Sequence, residues 1–217
     1  MVRRALVEKR PFLLSAIALG IFYYLVRAEP IGELWLIPLK GSAVAMLALY
    51  AWQRHTARDA RILSVAFAVA AIGDMALEIE FTAGGAAFAL SHAILIGLFL
   101  RNRKRGPNAS EKLMAGLIFL SAPVVTWFIS DAVPITIYAV FLGTMAATAW
   151  LSRFPRSRVG LGAILFMVSD WLIFGRALSP FADRLADIFV WPLYVAGQFL
   201  IAVGVIQTMR RESPAST

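Results

Sequence analysis

Eight blocks of about 20 mostly apolar residues, joined by short polar connections, govern what this chain can fold into. An α-helix rises about 1.5 Å per residue and needs about 20 apolar residues to cross the hydrocarbon of a bilayer. The blocks lie at about 11–27, 33–52, 62–80, 82–100, 113–130, 133–151, 158–176 and 188–208. The predicted fold class is therefore all-α: a polytopic integral membrane protein of eight transmembrane helices. Residues 1–217 form a single membrane domain, and 209–217 are a short polar tail. Composition agrees: the chain is 60% hydrophobic and 16% charged, whereas soluble domains are about 45–50% apolar and about 25% charged. The longest connection, 101–112, carries a Gly106-Pro107-Asn108 turn and leaves no room for a soluble domain. Arg3, Arg4, Lys9 and Arg10 precede the first block as in a signal peptide. That block ends in Tyr23-Tyr24-Leu25-Val26-Arg27, not in a small-residue cleavage site, and reads as a retained helix. Cysteine is absent, which excludes disulfides and thiolate metal sites. A net charge of +8 would suggest nucleic acid in a soluble protein. In a membrane protein it belongs to basic loops beside anionic headgroups, so the bilayer is the expected partner and nucleic acid is not.

Basic residues also set the orientation. On one side fall Arg3, Arg4, Lys9 and Arg10, then Arg54, Arg58 and Arg61, then Arg101, Arg103, Lys104, Arg105 and Lys112. Arg153, Arg156 and Arg158 and the tail residues Arg210 and Arg211 join them. The other side holds Arg27, Arg176 and Arg184, and Lys40 lies inside the second span. This asymmetry places both termini in the cytoplasm of a cell whose inner membrane the chain crosses, and it requires an even number of spans. Arg101 to Arg105 thus read as an orientation signal rather than a binding site. The two halves of the chain share features at similar spacing. Asp74 in AIGDMAL and Asp170 in MVSDWLI lie in third helices, and Ala51-Trp52 and Ala149-Trp150 end second helices. A parallel repeat of four plus four helices would place them so.

The polar residues inside the spans carry the chemistry. An ionisable group at the membrane centre costs about 2.5–3.5 kcal/mol or more, and such groups face the bundle interior with partners. They are Lys40, Asp74, Glu78, His92 and Asp170, with Tyr194 and Gln198 as neutral companions. Asp74, Asp170 and Tyr194 each lie six residues from the outer end of their span, Lys40 seven, and His92 and Gln198 ten. At 1.5 Å per residue this is one layer roughly 9–15 Å below the outer surface. One polar pocket opening to the non-cytoplasmic side explains the shared level. Asp74 and Glu78 share a helix face at i, i+4, as do Trp191, Tyr194 and Gln198 at i, i+3, i+7. Each residue also has a structural reading. The aspartates, His92 and Gln198 serve as interhelical hydrogen-bonders, Lys40 snorkels outward, Glu78 is hydrated near the surface, and Tyr194 belongs to an interfacial belt. Trp52, Trp127 and Trp150, at helix ends, read as belt anchors.

The strings GDMALEIEFTAGGAAFALSHAIL (73–95), GAILFMVSDWLI (162–173) and YVAGQFLI (194–201) resemble those of the lysoplasmalogenase, or YhhN-like, membrane proteins. The resemblance runs from about residue 33 to 208. It rests on a G-D-x-x-L helix, a following helix with His, an S-D pair in the seventh helix and an aromatic-x-x-x-Gln helix. It implies motif positions at Asp74, His92, Asp170, Tyr194 and Gln198. Lys40 matches a lysine that many members follow with proline, where this chain has Gly41. The implied activity is hydrolysis of the vinyl ether bond of lysoplasmalogens to a fatty aldehyde and glycerophosphoethanolamine or glycerophosphocholine. The implied partner is a lysophospholipid, and no cofactor or metal is implied.

The residues fit that chemistry. Asp74 and Asp170 divide acid and base roles as a coupled pair, Lys40 or His92 holds the phosphate or keeps one aspartate ionised, and Tyr194 and Gln198 orient water. Rival readings are a metal-dependent hydrolase built on Asp74, Glu78, His92 and Asp170, a proton-coupled transporter and a lipid-translocating protein. Because the chain lacks native cysteine, the orientation is directly measurable. Arg105→Cys and Ser157→Cys are expected to react in intact cells only with membrane-permeant thiol reagents; labelling by an impermeant reagent contradicts the orientation.

Overall fold

The computed structural model describes residues 11–29 and 32–212. The basic residues Arg3, Arg4, Lys9 and Arg10 and the tail beyond Glu212 lie outside them. The described residues form eight α-helices: α1 Pro11–Val26, α2 Glu33–Arg54, α3 Arg58–Leu77, α4 Phe81–Arg101, α5 Ala109–Ser130, α6 Val133–Trp150, α7 Leu161–Gly175 and α8 Pro180–Glu212. A π-helical turn at Arg156–Gly160 leads into α7, and a 3-10 turn at Arg176–Leu178 follows it. Seven of the eight are long and apolar enough to cross a membrane, while the described part of α1 has 16 residues and is shorter. Trp35, Ile79, Phe128 and Phe181 stand with more than two thirds of their surface exposed, a surface that lipid accepts and water does not. The chain is a multi-pass membrane protein.

At two helix starts, polar capping extends the helix beyond its apolar block, whereas α3 begins at Arg58 with no side-chain cap. The fifth span begins at Ala109 rather than 113 because Asn108 and Glu111 form a reciprocal capping box. The eighth begins at Pro180, eight residues earlier than its apolar stretch. Ser179 accepts the backbone N–H of Ala182 through its hydroxyl, and Pro180 suits the first helical position. At 33 residues α8 is about 50 Å long, more than the hydrocarbon needs. Between α3 and α4, the Glu80 carboxylate accepts the backbone N–H groups of Thr82 and Ala83, which hold its carboxyl below the usual carboxylate range.

The chain divides into two compact units, one running through Ile94 and taking in the segment from Met209, the other Leu95–Thr208. In the first, α1 packs on α2 and α2 on α3. Small residues allow the backbones to approach. A Cβ at Gly41 on α2 would lie 2.7 Å from the Ala71 carbonyl oxygen of α3, and one at Gly73 would lie 3.0 Å from the Phe88 ring of α4. Buried hydroxyls tie the same helices: Ser64 Oγ donates to the Ala48 carbonyl at 2.8 Å and Ser91 Oγ to the Ala66 carbonyl at 2.9 Å.

In the second unit α5 packs on α6 and both contact α7. At Gly143 of α6 a Cβ would lie 2.7 Å from the Phe119 carbonyl oxygen. Gly162 of α7 and Gly197 of α8 face each other, each Cβ position 2.6 Å from the other's carbonyl oxygen. The polar connections are clasped. Arg153 donates through its backbone N–H to the Asn102 carbonyl and through Nε to Asn102 Oδ1, both at 2.7 Å. Glu111 accepts Lys104 Nζ at 2.7 Å and an Arg156 guanidinium nitrogen at 2.6 Å. Part of the basic surplus is thus tied down at the helix ends.

The glycine contacts are directly testable. Gly197→Ala is expected to destabilise the protein by about 1–3 kcal/mol, because the methyl meets backbone that cannot move alone. Gly116→Ala, with no atom within 4 Å of its Cβ position, is expected to leave stability unchanged or slightly raised. Equal melting temperatures for both variants would contradict the close approach of α7 and α8.

Candidate active site

Four of the seven residues singled out in the sequence lie in the first unit. Asp74 sits on α3 between the close contacts of its neighbours: Ala71 and Met75 face Gly41, and Gly73 faces Phe88. It is 2% exposed. His92 on α4 is fully buried, and its ring centroid lies 6.5 Å from that of Phe88, one helical turn earlier. Phe88 therefore fills the space beside Gly73 and carries the same face of α4 on to His92. Lys40 and Glu78 are brought together. The Lys40 ammonium forms an ion pair and hydrogen bond with Glu78 Oε1, joining α2 to the residue that ends α3. Glu78 is about a third exposed, so the expectation of a hydrated carboxylate holds in part, and a cation shares it. Lys40, 17% exposed at its side chain, reaches along the protein to that carboxylate.

Gly41 also acquires a structural reason here. The residue after Lys40 sits against the Ala71 carbonyl, a place where any side chain would collide with backbone. Pro38, two residues before Lys40, already lies inside α2.

The other three residues belong to the second unit. Asp170 on α7 is 5% exposed, and its Oδ2 accepts a hydrogen bond from the Tyr138 hydroxyl of α6 at 2.6 Å. The preceding Ser169 donates Oγ to the Val190 carbonyl of α8 at 3.0 Å, which fixes α7 beside α8. Tyr194 on α8 is buried in an aromatic cluster. Its ring stands edge-on to Phe166 of α7 at 5.1 Å and is tilted against Trp191 at 5.7 Å. Tyr194 is thus core rather than belt, and Trp191 and Tyr194 share a face as their spacing requires. Gln198, one turn further, is 1% exposed, and its Oε1 accepts no hydrogen bond from the described residues. Thr126 Oγ1 on α5 is likewise buried without a hydrogen-bond partner among the described residues.

Tyr138 is the residue that the sequence reading passed over. It lies five residues after the start of α6, and Asp170 lies five residues before the end of α7. A search by depth for hydroxyls as well as charges would have found it.

The described residues contain no group of three or more His, Asp or Glu arranged to hold a metal ion. What the two units supply is two carboxyls shielded from water, one with a phenolic donor attached. The first unit also holds the buried imidazole of His92 and the Lys40–Glu78 pair, and the second the buried carboxamide of Gln198. Shielded carboxyls with specific donors are the groups that general acid–base catalysis employs.

The sequence model of the YhhN family matches residues 35–205. A lysoplasmalogenase of Mycobacterium bovis is 29% identical over 191 residues, covering 82% of this chain and 73% of that protein. A lysoplasmalogenase of Mycobacterium tuberculosis aligns with the same identity and coverage. No solved structure matches the chain significantly.

Proposed function

The chain belongs to the YhhN family, and from that premise we propose that it is a membrane hydrolase that cleaves the vinyl ether bond of lysoplasmalogens. The observation that carries the reading is the pair of aspartates, Asp74 and Asp170, each buried in a helix long and apolar enough to cross a membrane. The similarity to the two mycobacterial lysoplasmalogenases supports the substrate class. We further propose eight spans with both termini in the cytoplasm, residence in the inner membrane, and a parallel repeat of four helices and four. The charge asymmetry of the loops supports the orientation.

The reaction needs one acid and one base. A carboxylic acid gives its proton to the β-carbon of the vinyl ether. A C–H bond forms, the C=C π bond breaks, and an oxocarbenium ion is left at the carbon attached to oxygen. Water adds to that carbon and loses a proton to the second carboxylate. The resulting hemiacetal loses its hydroxyl proton to the first carboxylate and breaks its bond to the glycerol oxygen. That oxygen takes the proton held by the second carboxyl. The products are a fatty aldehyde and a glycerophospho-alcohol, and both carboxyls return to their starting forms. Asp74 and Asp170 divide these roles, and shielding from bulk water preserves the charge interactions the cation needs. Lys40 near the outer end of α2 suits a headgroup phosphate, with Glu78 holding its ammonium in place. Gln198, with an unused acceptor, suits the orientation of water, and Tyr194 and His92 shape the surroundings.

Purified protein is expected to release aldehyde from an alkenyl lysophospholipid and nothing from its saturated alkyl analogue, since carbon protonation requires the double bond. Release of fatty acid from an acyl lysolipid, with no aldehyde from the alkenyl one, would point to ester hydrolysis and overturn the proposal.

A further inference from the structure

We propose that Tyr138 is a positioning residue for Asp170: its hydroxyl occupies Oδ2, so that Oδ1 is the oxygen that takes the proton from the attacking water. The proposal deepens the hydrolase reading above and rests on it.

The geometry is specific. The Tyr138 ring stands edge-on against Phe174 with centroids 5.8 Å apart and planes at 83°. Phe174 follows Asp170 by four residues, so both lie on one face of α7. Tyr138 therefore runs along that face: its ring rests on Phe174, and its hydroxyl reaches one turn back to Asp170 Oδ2 at 2.6 Å. That length lies in the range of about 2.5–2.7 Å found for a hydroxyl donating to a carboxylate. Edge-to-face packing fixes both torsions of the tyrosine, so the donor is in place before substrate arrives. On the other side, Ser169 ties α7 to the Val190 carbonyl. The carboxyl of Asp170 thus sits on a helix fastened beside it, with one oxygen already engaged. Among the described residues no hydrogen bond reaches Oδ1.

An engaged Oδ2 has two consequences for the reaction. The carboxyl plane is fixed, which aligns Oδ1 with the water instead of leaving it to rotate. The phenol also presents a donor to the carboxylate form, the form that accepts the water's proton as the new C–O bond neutralises the oxocarbenium ion. The same Oδ1 then returns that proton to the departing glycerol oxygen.

Three proteins test this: wild type, Tyr138→Phe and Asp170→Asn. Tyr138→Phe keeps the ring on Phe174 and removes only the donor. It is expected to lower kcat about tenfold, the worth of one hydrogen bond, with KM within a factor of about two and the melting temperature near that of wild type. In the infrared spectrum, the carboxyl band that Asp170→Asn abolishes is expected to shift in Tyr138→Phe. Should Tyr138→Phe fold poorly, a fluorinated tyrosine incorporated at position 138 keeps the shape, changes the strength of the donor and is expected to shift the same band. A merely structural tyrosine would lower the melting temperature and leave the kcat of the surviving protein unchanged. Wild-type kcat in Tyr138→Phe, or an unmoved band, would overturn the proposal even when wild type releases aldehyde. Absence of aldehyde from wild type is a separate outcome that overturns the hydrolase reading itself.

Discussion

A charged side chain inside hydrocarbon costs about 2.5–3.5 kcal/mol or more at a helix centre, and the internal construction of both units follows from how that cost is met. Lys40, in the third turn of α2, pairs with Glu78 just past the end of α3. Asp170 takes a phenolic hydrogen bond from a neighbouring helix. Buried hydroxyls do not stay idle either: Ser64, Ser91 and Ser169 donate to carbonyls of adjacent helices. In each case the partner comes from another helix, so satisfying the polar group also fixes which helices neighbour each other. Lipid supplies no hydrophobic force to hold helices together, and these bonds act alongside the van der Waals contact of small residues. The glycines at 41, 143, 162 and 197 bring backbone against backbone.

Much of the fold was legible in the sequence because lipid imposes a length and a composition that few other environments require. All eight blocks became helices; each end of α4 moved by a single residue, and α6 kept its start and ended one residue sooner. Two of the differences share a cause. At α5 and α8 the apolar stretch begins later than the helix, because capping residues start helices in polar sequence. Asn108 with Glu111 and Ser179 with Pro180 are both recognisable signatures, but a reading led by hydropathy gives them too little weight. The π turn at Arg156–Gly160 left no comparable mark. There Gly160 lies against the Trp150 ring.

The site was legible as a set of residue types at a depth, and less so as contacts. Depth picked out Lys40, Asp74, His92, Asp170, Tyr194 and Gln198, and all but Lys40, which is partly exposed, are buried. Partners depend on which helices touch, and sequence spacing does not determine that. Nothing in the string pairs Lys40 with Glu78, 38 residues away, or Asp170 with Tyr138, 32 residues away. Tyr138 carries no such mark in the sequence, since a tyrosine in a membrane helix is usually an interfacial anchor. Tyr194, by contrast, was noticed through its spacing to Gln198 and stands in the aromatic cluster of α7 and α8.

The chemical argument comes down to whether the buried carboxyls react or merely pack. Asp74→Asn and Asp170→Asn preserve shape and remove an ionisable group, and amides cost less than carboxylates in the membrane. The most direct measurement is aldehyde release per folded protein, with melting temperature read on the same samples. Each single variant is expected to lose a factor of about 10²–10⁴ in turnover while melting near wild type, and Glu78→Gln, at the exposed end of α3, to lose far less. Near-wild-type turnover in Asp170→Asn would contradict the account.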